Sequence, residues 1–167
     1  MIDLKPHIRD VPDFPRPGIL FRDIAPLLRE RFAATIDALD ALLDEREWEQ
    51  LDVIAGIESR GFVLAAALAQ RHDKGLALIR KQGKLPPPVV CAPYQLEYGT
   101  GVLEMQSGSG RLLLVDDVLA TGGTLAAAAD LASVAGYDVL HLMVLIDLNL
   151  VPGFRWRGQP ARRAVQY

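Results

Sequence analysis

The sequence predicts an α/β fold built on a mainly parallel central sheet flanked by helices. Three observations predict it. Short apolar runs at 51–56, 76–79, 111–115 and 139–146 have the length and composition of strands buried on both faces. Stretches of helical composition, 62–72 and 125–134, separate the first run from the second and the third from the fourth. A chain of 167 residues with 50% hydrophobic side chains is the size of one domain that buries its own core. In such folds ligands sit beyond the carboxyl ends of the strands.

Taken in order, residues 8–28 read as irregular, because Pro12, Pro15, Pro17 and Pro26 interrupt any helix. Residues 29–48 read as one amphipathic helix, with Phe32, Ile36, Leu39 and Leu43 at helical spacing. The strand and helix alternation follows. It is broken once, between the second and third strands, by a long proline-rich connection at 81–110 containing Pro86-Pro87-Pro88. Two hairpin arms, 89–96 and 101–105, flank Gly99-Thr100-Gly101 there, and a connection this long reads as a lid or binding loop. Residues 155–163 form a short basic tail around Trp156, read as a frayed terminus.

Composition excludes several function classes. Eighteen Lys and Arg against 21 Asp and Glu leave a net charge of −3, which argues against a general nucleic-acid binder. One cysteine, Cys91, cannot form an internal disulfide. The start, Met1-Ile2-Asp3-Leu4-Lys5, lacks a signal-peptide pattern, and the run 139–146 is interrupted by His141 and closed by Asp147. The expectation is a cytoplasmic protein that enters no membrane. His7, His72 and His141 lack metal-ligand spacing and read as structural.

The chemistry concentrates after the third strand, in Leu112-Leu113-Leu114-Val115-Asp116-Asp117-Val118-Leu119-Ala120-Thr121-Gly122-Gly123-Thr124. Two adjacent carboxylates precede a small-residue turn that opens a helix. Backbone N–H groups and the hydroxyls of Thr121 and Thr124 stand at a helix N-terminus, where the macrodipole favours an anion. No Lys or Arg occurs from 112 to 154, so a phosphate here is held by neutral donors. Asp116 and Asp117 suit sugar hydroxyls or a metal.

This segment resembles the phosphoribosyl-pyrophosphate (PRPP) motif of the type I phosphoribosyltransferases. Four further stretches resemble the adenine-using members of that family, in the family's order. They are Phe14-Pro15-Arg16-Pro17-Gly18-Ile19-Leu20-Phe21-Arg22-Asp23-Ile24, Gly56-Ile57-Glu58-Ser59-Arg60-Gly61-Phe62, Ile79-Arg80-Lys81-Gln82-Gly83-Lys84-Leu85-Pro86 and Tyr94-Gln95-Leu96-Glu97-Tyr98-Gly99. The resemblance implies a single type I phosphoribosyltransferase domain over 1–167, with 1–28 contributing a base-covering hood and 81–101 a flexible catalytic loop. It implies transfer of the 5-phosphoribosyl group from PRPP to adenine, giving AMP and pyrophosphate. Ala120, Thr121, Gly122, Gly123 and Thr124 would take the 5′-phosphate, and Asp116 and Asp117 the ribose hydroxyls. Ser59, Arg60, Gly61, Arg80, Lys81 and Lys84 would meet the pyrophosphate, and Leu20, Phe21 and Arg22 the adenine. Glu97, Arg60 and Tyr98 would be catalytic. Mg²⁺ would be held mainly through PRPP and water, near Asp116 and Asp117. The family also implies a homodimer and a cis peptide at Glu58–Ser59.

The tail from Val151 to Tyr167 departs from the family pattern and leaves base choice open. A 6-oxopurine transferase would share the PRPP parts and differ around Leu20, Phe21 and Arg22. A non-catalytic PRPP-binding regulator is a third reading. It is disfavoured by Glu97, by the Arg80, Lys81 and Lys84 cluster, and by the absence of spare length for a DNA-binding region.

Overall fold

The computed structural model describes residues 3–96 and 99–167, with the side chains of 95, 96 and 99 outside the description. A short 3-10 turn (Lys5–His7) leads into β1 (Arg9–Pro12), which pairs antiparallel with β2 (Leu20–Asp23) as a separate hairpin. The segment expected to be irregular therefore holds a hairpin. Proline is compatible with it because Pro12 ends an edge strand and the remaining prolines before Leu20 lie in the connecting turn.

The helix expected at 29–48 is two. α1 (Ala25–Asp40) starts earlier, with Pro26 in the first turn, where its missing N–H costs nothing. α2 (Glu45–Gln50) is opened by a capping box: the Asp44 carboxylate accepts from the Glu47 amide at 2.8 Å, and Glu47 returns the bond to the Asp44 amide at 2.9 Å. The rest of the alternation follows as β3 (Val53–Ile57), α3 (Arg60–Arg71) and β4 (Gly75–Lys81), then the hairpin arms β5 (Val90–Leu96) and β6 (Gly99–Met105). β7 (Gly110–Leu119), α4 (Gly123–Val134), β8 (Tyr137–Asp147), β9 (Arg155–Trp156) and β10 (Gln159–Gln166) complete it.

Eight strands form one sheet in the order β5-β6-β4-β3-β7-β8-β10-β9. The central pairs, β4 with β3, β3 with β7, β7 with β8 and β8 with β10, are parallel, and the outer ones antiparallel. Alternation along β7 explains its unbroken apolar sequence. Leu113 and Val115 join the core with α1 and α3, while Leu112 and Leu114 join the core with α4.

The tail is not frayed. β10 runs parallel to β8, with Ala161 opposite Leu142 and Val165 opposite Ile146. Arg162 donates to the Leu42 carbonyl at 2.6 Å and forms an ion pair with Glu47, and the Trp156 indole N–H donates to Asp130 at 3.0 Å. A tail rich in arginine docks because Arg162 finds Glu47 on α2 and the Leu42 carbonyl just before it, and Arg157 finds Asp130 on α4. No described helix is long and apolar enough to cross a membrane.

Candidate active site

The parallel strands deliver their carboxyl ends to one edge, where four chain segments converge. β7 carries Asp116 and Asp117 inside the strand, with Asp116 opposite Val144 of β8, and continues to Leu119. Both carboxylates are buried rather than solvated turn residues. Two neighbours accompany that burial. The Asp117 amide donates to Asp116 Oδ1 at 2.9 Å, and Arg60 Nε stands 2.7 Å from Asp117 Oδ2, outside hydrogen-bonding direction. Burial, and then the charge of Asp117, push the Asp116 carboxyl well above its ordinary range. Burial also raises Asp117, against the opposing pull of the Arg60 guanidinium. Asp117 Oδ2 lacks a hydrogen-bond donor. A hydroxyl donor or a hydrated cation would satisfy it.

Gly61 lets the start of α3 lie on this pair, since a Cβ there would sit 2.9 Å from the Val115 carbonyl oxygen and 3.2 Å from Asp116 Oδ1. The peptide between Glu58 and Ser59, just before α3, is cis. After β7, Gly122 adopts a left-handed conformation (φ +86°) as the N-cap of α4. The turn encloses a hollow of about 80 Å³ lined by Asp116, Val118, Leu119, Ala120, Thr121, Gly122, Thr124 and Leu125.

A larger, more apolar cavity of about 790 Å³ adjoins it. Its walls are Gly18, Ile19, Leu20, Phe21 and Arg22 of the hairpin, with Arg60, Val118, Ala120, Leu148, Leu150 and Tyr167. The two cavities share Val118 and Ala120. Arg60, in the wall of the larger cavity, stands 2.7 Å from Asp117 and 5.0 Å from the Phe21 ring centre. Arg22 forms an ion pair with Asp10 and lies 3.7 Å from the centre of the Tyr167 ring.

Of the three cations expected together after β4, Arg80 and Lys84 place their charged groups on one carboxylate, Glu58, and Lys81 reaches it only through its backbone amide. Glu58 accepts from Lys84 Nζ at 2.6 Å, from the Lys81 amide at 3.0 Å and from Arg80 Nε at 3.2 Å. Burial opposes its ionisation, but these three donors outweigh it and hold the Glu58 pKa below the usual range. Arg60 pairs instead with Asp117. Glu97 and Tyr98 lie outside the described residues. Tyr167, Leu148 and Leu150 are pocket residues that no motif announced; the departure of the tail from the family pattern was the only hint. His72 stacks on Trp48 and bonds Asp40 at 2.6 Å, and Cys91 is exposed. Among the described residues, no three His, Cys, Asp or Glu stand close enough to hold a metal by themselves.

A mostly parallel sheet carrying a strand–carboxylate pair–glycine turn–helix unit at its carboxyl edge defines a class, and the chain belongs to it: it is a member of the phosphoribosyltransferase family, whose phosphoribosyl transferase domain model matches residues 27–150. Its relatives carry a more particular name. The chain is 50% identical over 166 residues to the adenine phosphoribosyltransferase of Bdellovibrio bacteriovorus, covering 99% of this chain and 100% of the relative. It is 47% identical to that of Hydrogenovibrio crunogenus, covering 98% and 96%. The crystal structure of adenine phosphoribosyltransferase from Thermoanaerobacter pseudethanolicus superposes with a TM-score of 0.88, at 38% identity and 98% coverage of both chains. That of the Saccharomyces cerevisiae enzyme, complexed with an imino-altritol bisphosphate and adenine, superposes with a TM-score of 0.86, at 34% identity and 96% coverage of both.

Proposed function

We propose that the protein transfers the 5-phosphoribosyl group of PRPP to adenine, giving AMP and pyrophosphate. The observation that carries this reading is the adjacency of the two cavities. A small hollow at a helix N-terminus, with the buried Asp116 in its wall, and a larger, more apolar cavity share Val118 and Ala120. The names of relatives near 50% identity over the whole length favour adenine over a 6-oxopurine.

In this mechanism the amides and hydroxyls of Ala120, Thr121, Gly122, Gly123 and Thr124 bind the 5′-phosphate, which the α4 dipole favours. Asp116 and Asp117 accept the ribose hydroxyls, giving Asp117 Oδ2 the donor it lacks. Leu20, Phe21 and Arg22 cover the adenine, with Tyr167 behind Arg22. The C1′–oxygen bond breaks with its electron pair leaving on pyrophosphate. A ring nitrogen of adenine forms the new bond to C1′, and the proton it sheds passes to Glu97. Ser59, Arg60, Gly61, Arg80, Lys81, Lys84 and Tyr98 receive the pyrophosphate, its charge drawing Arg80 and Lys84 away from Glu58. The site fits Mg²⁺ held mainly through PRPP and water, since the paired carboxylates are buried and one oxygen lacks a donor. When bound, the ion supplies charge neutralisation on the leaving group. Residues 1–28 act as a hood, 81–101 as a closing loop that excludes water, and 1–167 as one catalytic domain. The homodimer and the cytoplasmic location implied by the family complete the proposal; light scattering of the purified protein tests the dimer.

The deciding experiment incubates the protein with PRPP, Mg²⁺ and each purine base, and measures nucleotide and pyrophosphate. AMP from adenine is expected. Turnover of hypoxanthine without adenine overturns the base, and PRPP binding without turnover of any base overturns the enzyme.

A further inference from the structure

Glu104, on β6, is a carboxylate that the proposed reaction leaves unused, yet only 2% of it is exposed. It stands directly across from Arg80 in the antiparallel register of β4 and β6. Its two oxygens take three consecutive backbone amides of the turn that follows β4. Oε2 accepts from Gly83 at 2.9 Å, and Oε1 from Lys84 and Leu85, each at 2.6 Å. The Gly83 amide first, then those of Lys84 and Leu85 and the charge of Arg80, hold its pKa below the usual carboxylate range against burial, so the group is ionised at neutral pH. Two positions after Glu104, Gln106 donates to the Pro86 carbonyl at 3.3 Å.

A surface turn leading into three prolines has no side chains of its own to fix where Lys84 stands. Here it hangs from a buried anion, and the lysine it carries reaches back to Glu58 at 2.6 Å, while Arg80 reaches the Lys84 carbonyl at 3.5 Å. We propose that Glu104 is a positioning residue for the pyrophosphate end of the site: by anchoring the amides of 83–85 it sets where Lys84 and Arg80 stand, without touching substrate. The inference rests on the reading above, in which those cations meet pyrophosphate.

Glu104→Gln keeps the shape but replaces one acceptor oxygen with an NH₂ that faces a backbone N–H. The expected result is a rise of about tenfold in KM for PRPP, matched in the Kd for Mg-pyrophosphate by calorimetry, with KM for adenine within about twofold. Glu104→Asp, which keeps the charge, recovers part of the loss. In a Lys84→Ala background the same Glu104→Gln change adds a smaller penalty, because one of the two cations it acts through is gone. An unaltered PRPP KM, an equal rise in both KM values, or an undiminished penalty in the Lys84→Ala background overturns the proposal. Should Glu104→Gln fail to fold, amide exchange on the ligand-free wild type decides: protection at 83–85 supports the anchor, and exchange at the open-chain rate overturns it. Calorimetry with Mg-pyrophosphate needs no turnover, so failure of adenine transfer in the wild type would count against the function and leave this test standing.

Discussion

Replacing Gly122 by alanine tests the geometry of the phosphate turn through two separable costs. Gly122 has φ +86°, a left-handed conformation that costs an L-residue with a Cβ about 1–2 kcal/mol. The added Cβ would also stand 2.3 Å from Phe154 Cε2 and 2.4 Å from Cδ2, where carbon atoms ordinarily approach to about 3.5–4.0 Å. Phe154 must therefore move by more than an ångström, an overpacking cost of about 1–3 kcal/mol. Together the two lower stability by about 2–5 kcal/mol, and at about 2–4 °C per kcal/mol for a chain of this size Tm falls by about 4–20 °C. KM for PRPP rises with it, because the N-cap of α4 is the displaced group. In a double-mutant cycle with Phe154→Ala, the overpacking part disappears as a favourable coupling of about 1–3 kcal/mol, while the backbone part persists. Thermal melts of the four proteins and their PRPP saturation curves are the assay. A Gly122→Ala protein melting within about 1 °C of the wild type, or a cycle without coupling, refutes the reasoning.

Three further changes probe the site. Asp116→Asn is expected to raise Tm at neutral pH while abolishing PRPP binding. The Asp116 pKa is raised above its ordinary 3.8, so the carboxyl's contribution to stability is full below 3.8 and lost as pH rises through the folded value. Removing the charge restores that contribution at pH 7 and changes nothing below 3.8; a variant that melts at or below wild type at pH 7 contradicts this. Tyr167→Ala removes the ring under Arg22 and is expected to raise KM for adenine by about three- to tenfold, with KM for PRPP unchanged; equal effects on both substrates would place Tyr167 outside the base pocket. Glu97→Ala is expected to lower kcat by at least about a hundredfold, and near-normal turnover in stopped assays would remove the acid–base role.

Legibility followed the range of the interactions involved. The strands at 53–57, 110–119 and 137–147 were visible because burial on both faces demands uninterrupted apolar runs. Helix ends were less legible. The split of 29–48 into α1 and α2 turns on one capping box at Asp44 and Glu47, which the apolar spacing of Ile36, Leu39 and Leu43 masks. The docking of the tail is not legible because its arginines suggest solvent, while the partners of Arg162, Glu47 on α2 and the Leu42 carbonyl just before it, lie far away in sequence.

The sequence by itself determined the α/β class, the alternation of its central strands and helices and the segment from Leu112 to Thr124, since strand burial, helix start and glycine turn are all encoded by residues within a few positions of one another. Only the tertiary structure decided that Asp116 and Asp117 are buried inside β7, that Arg60 pairs with Asp117, that Glu58 collects Arg80 and Lys84, and that Tyr167 walls the cavity under Arg22. Those contacts join residues far apart in the chain. The parallel register of β3, β4, β7, β8 and β10 carries them to one edge, and no local pattern encodes that register.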